Sequence, residues 1–131
     1  RDMTPKTKLY NDILIIAVEH GIDYWAEVTA YRSGMDRETC EITKPGRATI
    51  VDLYDGRTFK LTPAAMRRGL RALAKGTFDW GGGEQMPHHV VERFAEHFKS
   101  IESGEGMLCN FDSTDADLVV QAAVLGKYTY A

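Results

Sequence analysis

The stretch that most limits what this chain can become is DADLVVQAAVLGKYTY, residues 115–130. As a helix, Ala116, Leu118, Val119, Val120, Ala122, Ala123, Val124 and Leu125 cover most of the circumference. Only Asp117 and Gln121, one turn apart, mark a polar edge. A helix apolar nearly all round belongs inside a domain or between subunits, so a homo-oligomer stands beside a buried core helix as an outcome. Asp112 or Ser113 is placed to cap it. Asp115 and Asp117 fall in the first turn, where the helix dipole favours negative charge. Gly126 ends it, and KYTYA reads as a last strand returning to a sheet. Burying even half of those side chains is worth on the order of several kcal/mol. Losing the segment should therefore unfold a marginally stable domain.

The rest of the chain supplies the partners for that helix. Thr4 and Pro5 are a cap and first position for a helix running through Leu9, Tyr10, Ile13, Ile16 and Ala17 to Gly21, although ILIIAV is β-branched enough for a strand. From Tyr24 the period becomes two: YWAEVTAYR, TCEIT, ATIVDLY and RTFKL read as four strands of an antiparallel meander, with Asp55–Gly56 as a two-residue hairpin turn. Thr62, Pro63 and Gly76 bracket a helix with Met66, Leu70 and Leu73 inward. PHHVVERFAEHFKSI is a further amphipathic helix, with Val90, Val91, Phe94, Phe98 and Ile101 on one face and His97 at the edge of the core. LCNF reads as a short strand. The sequence predicts one α+β domain over residues 1–131: a four-stranded antiparallel meander sheet packed with three to four helices, the C-terminal one buried.

Charge and length exclude several functions. A formal net charge of −3 on 131 residues argues against general nucleic-acid binding, which needs a basic excess. No apolar run approaches the ~20 residues that span a bilayer, so no membrane partner is expected. No secretory signal is visible, and Cys40 and Cys109 read as reduced thiols, which together suggest a cytoplasmic setting. The chain starts with Arg1 rather than Met, which suggests a missing upstream piece.

Catalytic patterns are scarce. His88, His89 and His97 lack the four-residue spacing of a helical zinc pair, and the cysteines lack close Cys-x-x-Cys spacing. No Gly-x-Ser-x-Gly elbow appears, and WGGGEQ lacks the lysine and hydroxyl of a phosphate loop. The sequence therefore assigns no catalytic residue, no metal ligand and no cofactor. The most suggestive surface is Arg67, Arg68, Arg71 and Lys75 on the outer face of their helix, whose charges suit phosphate or carboxylate oxygens. Trp80, beside the glycine loop read as a hinge or lid, adds a ring that could stack on a planar ligand. Tyr24, Trp25 and Tyr31, divided between the two faces of the first strand, are further candidates for an interface.

GIDYWAEV, the hairpin, LTPAAMRRGLRAL and DADLVVQAAVLGKYTY together resemble small, uncharacterised accessory proteins of tailed phages of actinobacteria, over roughly residues 11–130. The resemblance implies a phage protein working in a bacterial cytoplasm and brings no functional residue with it. The expected function is non-catalytic binding of a host protein or a small anionic, nucleotide-like signalling ligand, to blunt host defence. The alternatives are a small nucleotide hydrolase or modifying enzyme built on His89, Glu92 and Cys109, and a virion or assembly component.

Overall fold

The structure is a computed structural model and describes residues 3–131. Its helices are α1 (Pro5–Ile16), α2 (Pro63–Lys75), α3 (His88–Glu102) and α4 (Ser113–Val124). Strands β1 (Ala26–Arg32), β2 (Arg47–Asp52) and β3 (Thr58–Leu61) form one antiparallel sheet in the order β1-β2-β3. The α+β class holds. No helix is long and apolar enough to cross a membrane among the described residues.

The helix starts follow from their caps. Thr4 Oγ1 accepts the Thr7 amide at 3.1 Å and Thr62 Oγ1 the Ala65 amide at 3.1 Å, each followed by a proline in the first turn. At α4 the cap is Asp112: its carboxylate accepts the Asp115 amide, and the Asp115 carboxylate accepts the Asp112 amide, both at 3.0 Å. These reciprocal bonds satisfy two amides that a helix start leaves without partners. Helix α1 runs on into a wider π turn over Ala17–Gly21.

Helix α4 is internal through Asp115–Gln121, while Ala122, Ala123, Val124 and Leu125 are half-buried. Ala116, Val119 and Val120 are fully buried, and α4 packs on α2 and on the π turn. Gly69 makes the α2–α4 approach close: a Cβ there would lie 2.1 Å from the Val119 carbonyl oxygen. Helices α1 and α3 also pack against α2, placing it at the centre of the helical layer.

The sheet turns Ala48, Ile50 and Asp52 inward, with Val28, Phe59 and Leu61 opposite them or alongside. Arg47, Thr49 and Val51 alternate to the other face. In β1 the pairing shifts at Thr29, so that Val28 faces Ile50 but Ala30 faces Thr49 and Arg32 faces Arg47. The bulge changes which side chains point where. Strict alternation from Val28 would aim Ala30 and Arg32 inward; the extra residue sends both to the outer face.

Four strand expectations are corrected. The fourth strand, TCEIT, is absent; the connection has an isolated bridge, Met35 to Ile42, flanked by backbone bonds from Asp36 to Glu41 and from Thr43 to Gly34. The Asp36 carboxylate captures the amides of Glu38 and Thr39 at 2.8 and 3.2 Å, and Cys40 has φ 58°, so the run cannot stay extended. The hairpin is longer than two residues. The Asp52 amide donates to the Arg57 carbonyl, while the Asp52 carboxylate accepts the amides of Tyr54 and Asp55. Gly56, at φ +74°, alone supplies the positive φ that closes the loop. LCNF forms a turn instead of a strand, with the Phe111 amide donating to the Leu108 carbonyl. KYTYA has only a parallel bridge from Lys127 to Asp79.

Candidate functional site

The arginine stripe of α2 is divided. Arg67 is committed: its Nε and Nη2 donate to Glu102 Oε2 and Oε1 at 3.0 and 2.8 Å. Tyr10 donates to the same carboxylate at 2.6 Å, and Lys6 lies 3.4 Å away. The Arg67 hydrogen bonds, ahead of that from Tyr10, hold the Glu102 carboxyl down at about 2. Arg68, Arg71 and Lys75 are exposed and make no ion pair among the described residues. Trp80 is half-buried, 4.6 Å from the Tyr128 ring and 6.4 Å from Phe78, which is packing within the fold. The glycine loop beside it is tied down, since Asp79 Oδ1 accepts the amides of Gly81 and Gly83 at 2.9 and 3.0 Å.

The residues of the alternative catalytic site are distributed differently from the sequence reading. Glu92 pairs with His88 at 2.6 Å, on an exposed helix face, rather than with His89. Cys109 is an exposed free thiol, not a core residue. His97 is fully buried instead of lying at the edge of the core. Among the described residues no three His, Cys, Asp or Glu side chains come together in a metal-binding arrangement.

The entry to β1, the β2–β3 hairpin, α4 and the C-terminal tail meet in one place. Trp25 Nε1 donates to Asp117 Oδ1 at 2.8 Å, and Tyr24 donates to Oδ2 at 2.5 Å. Gln121 Nε2 bonds both Asp117 oxygens and the Tyr130 carbonyl, while Gln121 Oε1 accepts the amides of Thr129 and Tyr130. Tyr130 stacks between Trp25 at 5.1 Å and Tyr54 at 5.3 Å and donates to Asp52. Burial pushes the Asp117 carboxyl up, against the three donors that pull it down. The polar edge of α4 thus holds the first strand's entry and the chain's tail. Its hydrogen-bonding capacity is spent on the fold, so this network is scaffolding.

The open face of the sheet is the reverse case. Arg32, Arg47 and Lys60, one from each strand, line a depression of about 290 Å³ with Ala30, Thr49 and Thr62. Arg32 lies directly opposite Arg47, and Lys60 opposite Thr49, the next outward position on β2. All three cations are exposed, and none is in an ion pair among the described residues. Like charges directly opposite in a sheet are destabilising, so the fold carries this cluster at a cost. Glu27 shares the face but stands at its far end, opposite Val51. Asp36 and Glu38 line a neighbouring depression that Arg32 borders, and neither reaches an ion-pair distance.

Sequence reasoning missed this cluster for a definite reason. The inward Ala48, Ile50 and Leu61 already imply outward Arg47 and Lys60. Arg32 joins them only through the Thr29 bulge, which no residue in YWAEVTAYR announces.

Compared with known proteins, the chain matches no family model, no curated protein and no solved structure.

Proposed function

We propose that this is a non-catalytic binding domain whose working surface is the open face of the sheet, and that its ligand is anionic. The observation that carries this reading is the trio Arg32, Arg47 and Lys60 around one depression, none of them in an ion pair among the described residues. Forked guanidinium groups suit phosphate and carboxylate oxygens, and the paired strands fix the positions from which they reach. The resemblance to phage accessory proteins supplies the context: a host factor or a small nucleotide-like signalling molecule, captured in the bacterial cytoplasm rather than turned over. Capture needs affinity alone, which suits a surface of fixed cations.

A second basic surface remains, Arg68, Arg71 and Lys75 on α2, and one experiment ranks the two. The wild type, an R32A/R47A/K60A variant and an R68A/R71A/K75A variant are compared for retention on phosphocellulose, with the salt needed for elution as the readout. The sheet variant should elute at clearly lower salt, and the helix variant close to wild type. The reverse order would move the working surface to α2. A wild type that passes straight through would remove the anion-binding reading altogether.

A further inference from the structure

Resting on the anion-binding reading of the same depression, we infer that its ligand carries two linked phosphoryl groups, as the terminal diphosphate of a nucleotide does. The number and placement of the cations point there. Strands lie about 4.8 Å apart, so side chains from three adjacent strands converge on a patch about 10 Å wide. Three positive charges then face one small volume. A terminal phosphoryl group carries roughly −2 at neutral pH, and the phosphoryl linked behind it adds one more negative charge. That total matches the trio, concentrated in a volume that all three heads can reach. An acidic peptide spreads its charge instead: carboxylates on one face of an extended segment stand about 6.6 Å apart, so two arginine forks and a lysine cannot close on one group. A lone phosphate satisfies the facing pair Arg32 and Arg47 and leaves Lys60, one strand further on, without a full partner.

The neutral lining agrees with this. Thr49 stands between Arg47 and Lys60 in the register, and Thr62 follows β3 at the rim, so two hydroxyls can donate to phosphoryl oxygens between the cations. Ala30 leaves the floor open on the β1 side, beside Tyr31, where a longer side chain would fill the space. Lys60 is the discriminating residue: Arg32 and Arg47 supply affinity for any phosphate, and Lys60 supplies the preference for a second one.

The test is calorimetric titration of the intact chain at fixed ionic strength with five probes: pyrophosphate, ADP, AMP, inorganic phosphate and hexaglutamate. Pyrophosphate and ADP should bind at least tenfold more tightly than phosphate and AMP, and hexaglutamate more weakly than either diphosphate. ADP binding well above pyrophosphate would locate a contribution from the nucleoside, and equal binding would assign the affinity to the diphosphate alone; both outcomes support the inference. K60A should bring ADP down to the AMP level while leaving AMP almost unchanged, and R47A should weaken both. Each variant's melting temperature is measured alongside, since these exposed side chains hold no core contact. Equal affinity for AMP and ADP, or a preference for hexaglutamate, would overturn the diphosphate inference and leave the anion-binding face standing. No binding by any probe would end both.

Discussion

His97 is the residue whose chemistry fits its surroundings least well. It is fully buried between Phe94 and Phe111, and neither ring nitrogen has a hydrogen-bond partner among the described residues. Burial depresses its pKa first; Asp115 and Glu96 push it up, and Arg93 pushes it down. The folded protein therefore holds a neutral imidazole, whereas the unfolded chain takes up a proton near pH 6.5. A depressed folded pKa contributes stability that is present above pH 6.5 and is lost as pH falls through that value toward the folded one. Thermal melts between pH 8 and pH 5 should show a decline that His97→Leu flattens. The leucine also removes two unpaired buried nitrogens, which cost on the order of 1–3 kcal/mol each in other proteins. The variant should match or exceed the wild-type melting temperature at pH 5. A wild-type profile level from pH 8 to 5 would show that the imidazole finds a partner or water in solution.

At the scale of elements, the decisive contact is the crossing of α2 and α4. Glycine costs a helix interior about 1 kcal/mol relative to alanine, so propensity alone makes Gly69→Ala a stabilising change. The geometry reverses the sign. The added Cβ would meet the Val119 carbonyl at 2.1 Å and the Ala123 Cβ at 3.1 Å, both on a helix that is itself packed on the π turn. Relief requires α4 to move, and overpacking of this kind costs about 1–3 kcal/mol or more. Net of the propensity gain, Gly69→Ala should lower the unfolding free energy by about 1–2 kcal/mol in chemical unfolding, and Gly69→Ser by more. A variant more stable than the wild type would mean that α4 shifts without penalty.

The same scale explains what could be read from the sequence. Helices α1, α2 and α4 were legible from caps at Thr4, Thr62 and Asp112, and α3, whose start has no side-chain cap, from its 3.6-residue spacing alone. The lost strand and the longer hairpin turned on aspartate side chains, Asp36 and Asp52, capturing nearby amides in competition with the ladder. The candidate site escaped for a different reason. A bulge is a fact about two strands together, so the face that Arg32 occupies cannot be read from its own segment. The α2 stripe was legible as a pattern, but its first arginine belongs to Glu102, a partner 35 residues away.

For the whole molecule, the core and the proposed binding surface lie on different faces. The core lies between the helices and the inner side of the sheet, while the cation trio stands outside it and strains the sheet it stands on. A fold shaped for stability alone would place opposite charges across β1 and β2 at that pair, because opposite-charge pairs are worth up to about 1 kcal/mol there and like charges subtract a similar amount. Arg47→Glu tests whether the cluster is kept for its ligand. The substitution replaces a repulsion with an attraction to Arg32 at an exposed site on the outer face of the sheet. The variant should melt a degree or more above the wild type, an increment that salt diminishes because the interaction is exposed. It should at the same time lose retention on phosphocellulose and affinity for ADP, by tenfold or more in the latter. Gaining stability while losing binding is the signature of a surface that trades one for the other. A variant that loses both would show that Arg47 supports the fold in a way its exposure conceals. One that keeps its binding would place the ligand elsewhere.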